Sequence, residues 1–164
     1  MLRAIGISNF SSKKMGDLLS FCRVKPVMNQ VELHPYLQQW ELKEYCEKNG
    51  CYLTAFFPLG GAADISNPDG VMNNAVIKEI AKNHNKTAAQ VLIRWCIQRG
   101  VVCIPKSVHG NRIEENGKVF DFELTPEEME KIKALDRHAR NVHPDLFLPS
   151  PQTWQEYYDY ENVN

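Results

Sequence analysis

The stretch "VVCIPKSVHGNRIEEN", Val101 to Asn116, decides how the chain folds. Its apolar, β-branched start reads as a short buried strand, and from Gly110 onward the residues suit a helix. Between the two stand Lys106 and Ser107, and the helix carries Arg112, Glu115 and Asn116. A strand that ends in a lysine and hands over to a helix bearing an arginine suits an anion. Lysine brings a point charge and arginine a planar fork of donors. An exposed loop is the plainer reading of the same residues.

Three similar runs precede it: "RAIGIS" (3–8), "VMNQVEL" (27–33) and "CYLTAFF" (51–57). With "VVCIP" (101–105) they make four strand candidates, each ending at a polar or turn signal. Helical patterns separate them. "SSKKMGDLLSFC" has Ser11 or Ser12 as its N-cap, and "QQWELKEYCEKNG" sets Trp40, Leu42, Tyr45 and Cys46 on one face, with Gly50 as its stop. "NNAVIKEIAKNH" and "KTAAQVLIRWCIQRG" follow the third strand; Thr87 and Gln90 read as a capping box and Gly100 as the stop. After the fourth strand, "LTPEEMEKIKALDRHA" has Thr125 as N-cap, Pro126 at the first position and Glu128 three residues on. Residues 1–140 form the body by this reading, and 141–164, rich in proline and aromatics without a period, form a loop or tail.

Strand alternating with helix argues an α/β protein with a parallel sheet. No G-x-G-x-x-G follows a strand, so a Rossmann site is not supported. A TIM (β/α)8 barrel needs eight strands and about 250 residues. About four βα units in 164 residues read as half of such a barrel.

The totals agree with a soluble domain: 43% hydrophobic, 24% charged, net charge −1. No basic field calls for nucleic acid, no apolar run is long enough for a membrane span, and the N-terminus lacks a signal-peptide core. Five cysteines without a C-x-x-C read as reduced, packed thiols in a cytoplasmic protein. His34, before Pro35, reads as structural; His84 and His138 read as exposed. His34 and His109 do not stand in metal-ligand spacing with any cysteine, and no metal is expected. Neither a P-loop nor a G-x-S-x-G motif occurs.

Sites of βα folds sit at the C-terminal ends of the strands. There the chain carries Ser8 and Asn9; Asn29, Gln30 and Glu32; Phe56 to Gly61; and Lys106 with Ser107. Amides, an aromatic face, a glycine pair and a cation suit a ligand with a carboxamide, a flat ring and phosphates. Asn29 and Gln30 lie inside a strand, where buried amides need partners.

Taken together, "AIGISNF", "NQVELHPYLQQ", "TAFFPLG", "NKTAAQVLIRWCIQRG" and "VVCIPKSVHGNRIEENGKVFDFELTPEEME" resemble the C-terminal half of an aldo-keto reductase, as far as about Leu135. The resemblance implies the (β/α)8 fold and reduction of aldehydes and ketones by hydride transfer from NADPH. It implies that Ser8, Asn9 and Gln30 hold the nicotinamide carboxamide, and that Phe56 stacks on the ring where tyrosine is usual. Leu59 and Gly61 match pyrophosphate positions, Gly61 where serine is common. Lys106, Ser107 and Arg112 match the 2′-phosphate site, and Glu115 and Asn116 the adenine contacts. His109 stands where a small polar residue is common.

The family's catalytic Asp, Tyr, Lys and His belong to the N-terminal half. The resemblance therefore implies a cofactor-binding half with no catalytic residue of its own, inactive alone, and taking a small carbonyl substrate only with the N-terminal half present. Half a barrel would leave two open edges, suited to self-association. A short form that binds NADPH or a partner protein without turnover is the alternative; a phosphosugar-binding fragment fits "SNF", "NQ" and "IPKS" less well. The tail aromatics Phe147, Trp154, Tyr157, Tyr158 and Tyr160 either line a pocket or pack on the barrel wall. The stretch 60–74 looks short for a cofactor lid, which implies fast cofactor release.

Overall fold

The computed structural model describes residues 2–61 and 67–142. The tail aromatics and residues 62–66 of the 60–74 stretch lie outside them. Four strands form one sheet in the order β1-β2-β3-β4: β1 Gly6–Ser8, β2 Met28–Glu32, β3 Tyr52–Phe56 and β4 Val102–Cys103. β1 is parallel to β2 and β3 to β4. Between the strands run α1 Ser12–Phe21, α2 Trp40–Lys48, a 3-10 turn Val71–Asn73, α3 Ala75–Asn83 and α4 Ala88–Gln98. After β4 come α5 Gly110–Gly117 and α6 Pro126–Lys133. The alternation read from the sequence is thus present, with shorter strands. Pro105 has no N–H to continue a ladder, which limits the last strand.

The chain divides into two compact units. One gathers Met1–Val31 and Gln39–Leu53, the other Glu32–Gln38 and Thr54–Asn141. In the first, Ser11 is the N-cap of α1, and its hydroxyl accepts from Lys14 N at 3.2 Å. Met15 and Cys46 are fully buried, with the Cys46 thiol donating to the Met15 sulfur at 3.5 Å. Trp40 departs from the expected apolar face of α2: it is 39% exposed. It is the first helical residue, and a helical side chain leans back toward the N-terminus, beyond the start of the helix.

In the second unit α4 is the centre. Every residue from Ala89 to Cys96 is buried, and Trp95 and Leu92 have no exposed surface. Thr87 and Gln90 make both halves of the capping box, as do Thr125 and Glu128 on α6. Gly50 and Gly100, after α2 and α4, have φ of 73° and 71° and let the chain reverse; Cys51 N donates to Cys46 O and Val101 N to Cys96 O. His84 is not exposed as expected. Its Nε2 lies 2.8 Å from Glu128 Oε2 and its ring 5.4 Å from that of Phe122. The residue caps α3, a position the sequence pattern does not resolve into buried or open.

A polar ladder runs along α4 at helical spacing. Gln90 Nε2 donates to Glu115 O (3.1 Å) and Lys118 O (2.9 Å). Arg94 reaches Val119 O and Glu123 Oε1, and Gln98 exchanges two bonds with the backbone of Leu124. The connection from α5 to α6 has no ladder of its own, so these side chains satisfy its carbonyls. No described helix is long and apolar enough to cross a membrane, and no metal-ligating cluster occurs among the described residues.

Burial pushes the Cys46 thiol up to about 12. Cys96 is also raised well above its ordinary value, chiefly by its hydrogen bond with Cys103, and the same bond lowers Cys103. Thiolate is the reactive form. At pH 8, iodoacetamide followed by peptide mass spectrometry should therefore modify half-buried Cys103 well before Cys46, Cys51 or Cys96. Separately, Gln90→Ala removes the side-chain donor to Glu115 O and Lys118 O and should lower stability by about 1–3 kcal/mol, measured as a fall in the urea midpoint.

Candidate functional site

In the first unit the site begins with strand register. Ser8 pairs with Gln30 across β1 and β2. The Ser8 hydroxyl donates to Gln30 O at 3.0 Å and Asn9 N donates to the same oxygen at 2.9 Å. Asn9 has φ of 57°, a left-handed conformation that asparagine tolerates better than most residues. Fully buried Asn29 fixes the next residue: its Nδ2 donates to Phe10 O at 2.8 Å and its Oδ1 accepts from Phe10 N at 3.4 Å. The amide inside the strand thus finds its partners in the turn that carries Asn9. One acceptor stays open. Asn9 Oδ1 is buried and has no hydrogen-bond partner. Such a group costs free energy unless a donor arrives. A carboxamide N–H is a donor of the right kind.

In the second unit β3 ends at half-buried Phe56, and the chain then turns sharply. Phe57 has φ of 53°, Gly60 90° and Gly61 82°. Gly60 N donates to Phe57 O at 2.8 Å, which closes the turn. Leu59 and Gly61 are buried in it. The Phe56 and Phe57 rings meet edge to face at 5.3 Å. A Cβ on Gly61 would lie 3.1 Å from Phe57 Cδ2, so glycine suits this place on two counts, conformation and space. That accounts for glycine where the resemblance leads one to expect serine.

The anion-binding candidates lie beyond β4. Lys106 and Arg112 are exposed and engage in no ion pair among the described residues. Ser107 Oγ accepts from His109 N at 3.1 Å, shaping the turn into α5, whose N-cap is His109. Glu115 is already engaged: its Oε1 accepts from Thr87 Oγ1 at 2.8 Å. Thr87 reads from the sequence only as a helix cap; its second bond joins positions 28 residues apart and has no local signal. Asn116 lines an apolar cleft of about 470 Å³ beside Cys103, Val119 and Phe120. Ser8, Asn9 and Gln30 are therefore brought together in one unit. In the other, Phe56, Leu59 and Gly61 share a turn, and Lys106, Ser107, Arg112, Glu115 and Asn116 follow β4.

Each group, taken by itself, has a chemistry: an open amide acceptor suits a carboxamide, bare glycine backbone suits a phosphate, and two unpaired cations suit another anion.

The model of the aldo/keto reductase family matches residues 1–137. A 9,11-endoperoxide prostaglandin H2 reductase of Trypanosoma cruzi is 47% identical over 149 residues, 90% of this chain and 51% of the relative. A glyoxal reductase of Bacillus subtilis is 45% identical over 148 residues, covering 90% and 51%. A crystal structure of a silkworm (Bombyx mori) aldo-keto reductase complexed with NADPH superposes with a TM-score of 0.80 at 36% identity, covering 87% of this chain and 45% of that one. The chain spans about half the length of the curated relatives it matches.

The strain at Gly61 is open to test. Gly61→Ala combines a left-handed backbone with a close ring contact and should cost about 1–2 kcal/mol from the conformation alone. Thermal unfolding should recover part of that loss in a Phe57→Ala background, which removes the ring but leaves φ unchanged.

Proposed function

Because the chain belongs to the aldo/keto reductase family, we propose that it is the NADP(H)-binding part of an enzyme that reduces aldehydes or ketones to alcohols. The observation that carries the reading is the buried Asn9 Oδ1, an acceptor with no donor inside the protein. Ser8, Asn9 and Gln30 hold the carboxamide, and Phe56 offers its ring to the nicotinamide. Leu59 and Gly61 receive the pyrophosphate. Lys106, Ser107 and Arg112 bind the 2′-phosphate, which selects NADPH over NADH, and Glu115 and Asn116 meet the adenine. When bound, NADPH supplies the hydride for the carbonyl carbon. The half-barrel body spans 1–140 and the tail 141–164, as the sequence pattern suggests.

Reduction also needs a proton donor. Tyr36 is not arranged as one: its hydroxyl donates to Asp69 O at 3.3 Å and accepts from Asn74 Nδ2 at 3.0 Å. We assign no general acid among the described residues, and turnover then depends on a complementary half-barrel that supplies the catalytic Asp, Tyr, Lys and His. That favours a second reading, a chain that binds NADPH or a partner protein without turnover. Exposed Val102, Ile104, Val108 and Phe120, on and beyond the edge strand β4, suit association with another copy. Unbridged cysteines suit a cytoplasmic location.

Calorimetric titration tests the cofactor assignment. The chain should bind NADPH more tightly than NADH. Lys106→Met or Arg112→Ala should weaken NADPH by about 10- to 100-fold, the value of a charge-assisted phosphate contact, and leave NADH near its starting affinity. Equal losses for both nucleotides would remove the 2′-phosphate assignment. Turnover of an aldehyde by the purified chain alone would overturn the need for a second half.

A further inference from the structure

Asn141 follows α6 and plays no part in the cofactor set above. It is exposed as a residue, yet both its backbone and its side chain reach inward. Its N–H donates to Glu32 Oε1 at 2.6 Å, and its Nδ2 donates to Gly60 O at 2.7 Å. The same Nδ2 stands 3.3 Å from His34 Nε2, which is itself 3.1 Å from Glu32 Oε1. Glu32 and His34 are 0% and 1% exposed. A buried carboxylate needs donors, so we assign the imidazole proton to Nε2, facing Glu32. The Asn141 amide is left with Gly60 O as its one well-formed acceptor.

That acceptor matters because of what shares its peptide plane. The C=O of Gly60 and the N–H of Gly61 belong to one trans peptide unit and point in opposite directions. Glycine stands on both sides, at φ of 90° and 82°. Glycine adopts positive and negative φ about equally, so such a unit can rotate end over end with little steric resistance. One orientation offers an N–H to an approaching anion. The other offers a carbonyl oxygen, which repels it. Nothing in the local sequence chooses between them.

We propose that Asn141 is a positioning residue that locks the Gly60–Gly61 peptide by holding the Gly60 carbonyl, so that the Gly61 N–H faces the opposite way, available to a phosphate group. The latch lies 81 positions from the turn it holds. It deepens the proposed function and rests on the reading that this turn receives a pyrophosphate. Through it, the segment that follows α6 acts on the turn that follows β3.

The test uses the full chain and Asn141→Ala, which keeps the backbone bond to Glu32. In nuclear magnetic resonance spectra the Gly60 carbonyl and Gly61 amide signals should shift or broaden, and Gly61 should exchange with deuterium several-fold faster, while α4 amides keep their protection. NADPH and NADH should both weaken by about fivefold, the loss expected for one neutral hydrogen bond, with their affinity ratio unchanged. A changed ratio would place Asn141 at the 2′-phosphate and overturn the proposal. So would unchanged Gly61 signals. One measurement needs no variant: in the wild-type chain the Asn141 side-chain amide protons should exchange more slowly than those of exposed asparagines, and exchange at the free rate overturns the latch. If the wild-type chain binds neither nucleotide, the cofactor reading fails, and the Gly60 and Gly61 signals still decide for or against the latch.

Discussion

Glu32 is a carboxylate with none of its surface in water, and the second unit is arranged around that fact. Burying a charge is costly unless donors surround it. Its neighbours supply them: the Asn141 N–H at 2.6 Å, the His34 ring at 3.1 Å and, more loosely, Arg140 Nη1 at 4.0 Å. The chain after α6 is thereby held where it would otherwise have no regular structure to hold it. Tyr36 adds to the anchorage. Its carbonyl accepts from Arg137 N and Ala139 N, and its ring lies 4.0 Å beneath the Arg137 guanidinium. Once the strap is in place, the Asn141 amide is within reach of the glycine turn after β3.

The same economy appears on α4. A helix whose residues 89 to 96 are all buried would be expected to carry only apolar side chains, yet Gln90 and Arg94 are among them. Their polar ends do not enter an apolar core. They meet the carbonyls of Glu115, Lys118 and Val119, where α5 ends. Buried polar groups of this kind rigidify what they touch, provided each is satisfied. The segment that carries Arg112, Glu115 and Asn116 is therefore set by α4 as well as by its own helix. Gln38 plays a similar part at the end of α6, donating to Ile132 O and Lys133 O while its own carbonyl accepts from Arg99.

Much of this was legible in the chain. The four strands, the helices between them and the two capping boxes follow from periodicity and from local bonds that span three residues. The family follows from "AIGISNF", "NQVELHPYLQQ", "TAFFPLG", "NKTAAQVLIRWCIQRG" and the stretch that begins at Val101, because these agree with it in order and spacing. Legibility falls off where a residue acts at long range. Thr87 reads as a cap and also holds Glu115. His84 reads as exposed and is paired with Glu128, 44 positions away. Trp40 reads as core and is partly open, because the periodicity of a helix says nothing about its first residue. Asn141 falls in a stretch with no period at all and reads as the start of a tail.

By itself, then, the sequence determined which residues form strands and helices, where the helices begin and end, and which residue types gather at the strand ends. Those features depend on contacts within a few residues, and the pattern carries them directly. Only the tertiary structure decided that Asn9 keeps an open acceptor, that Phe57 crowds a side chain at Gly61, and that the Gly60–Gly61 peptide has one orientation. Each of these depends on a group brought close from elsewhere or on a backbone angle that glycine leaves free. A residue's type limits what it can bond; folding chooses the partner.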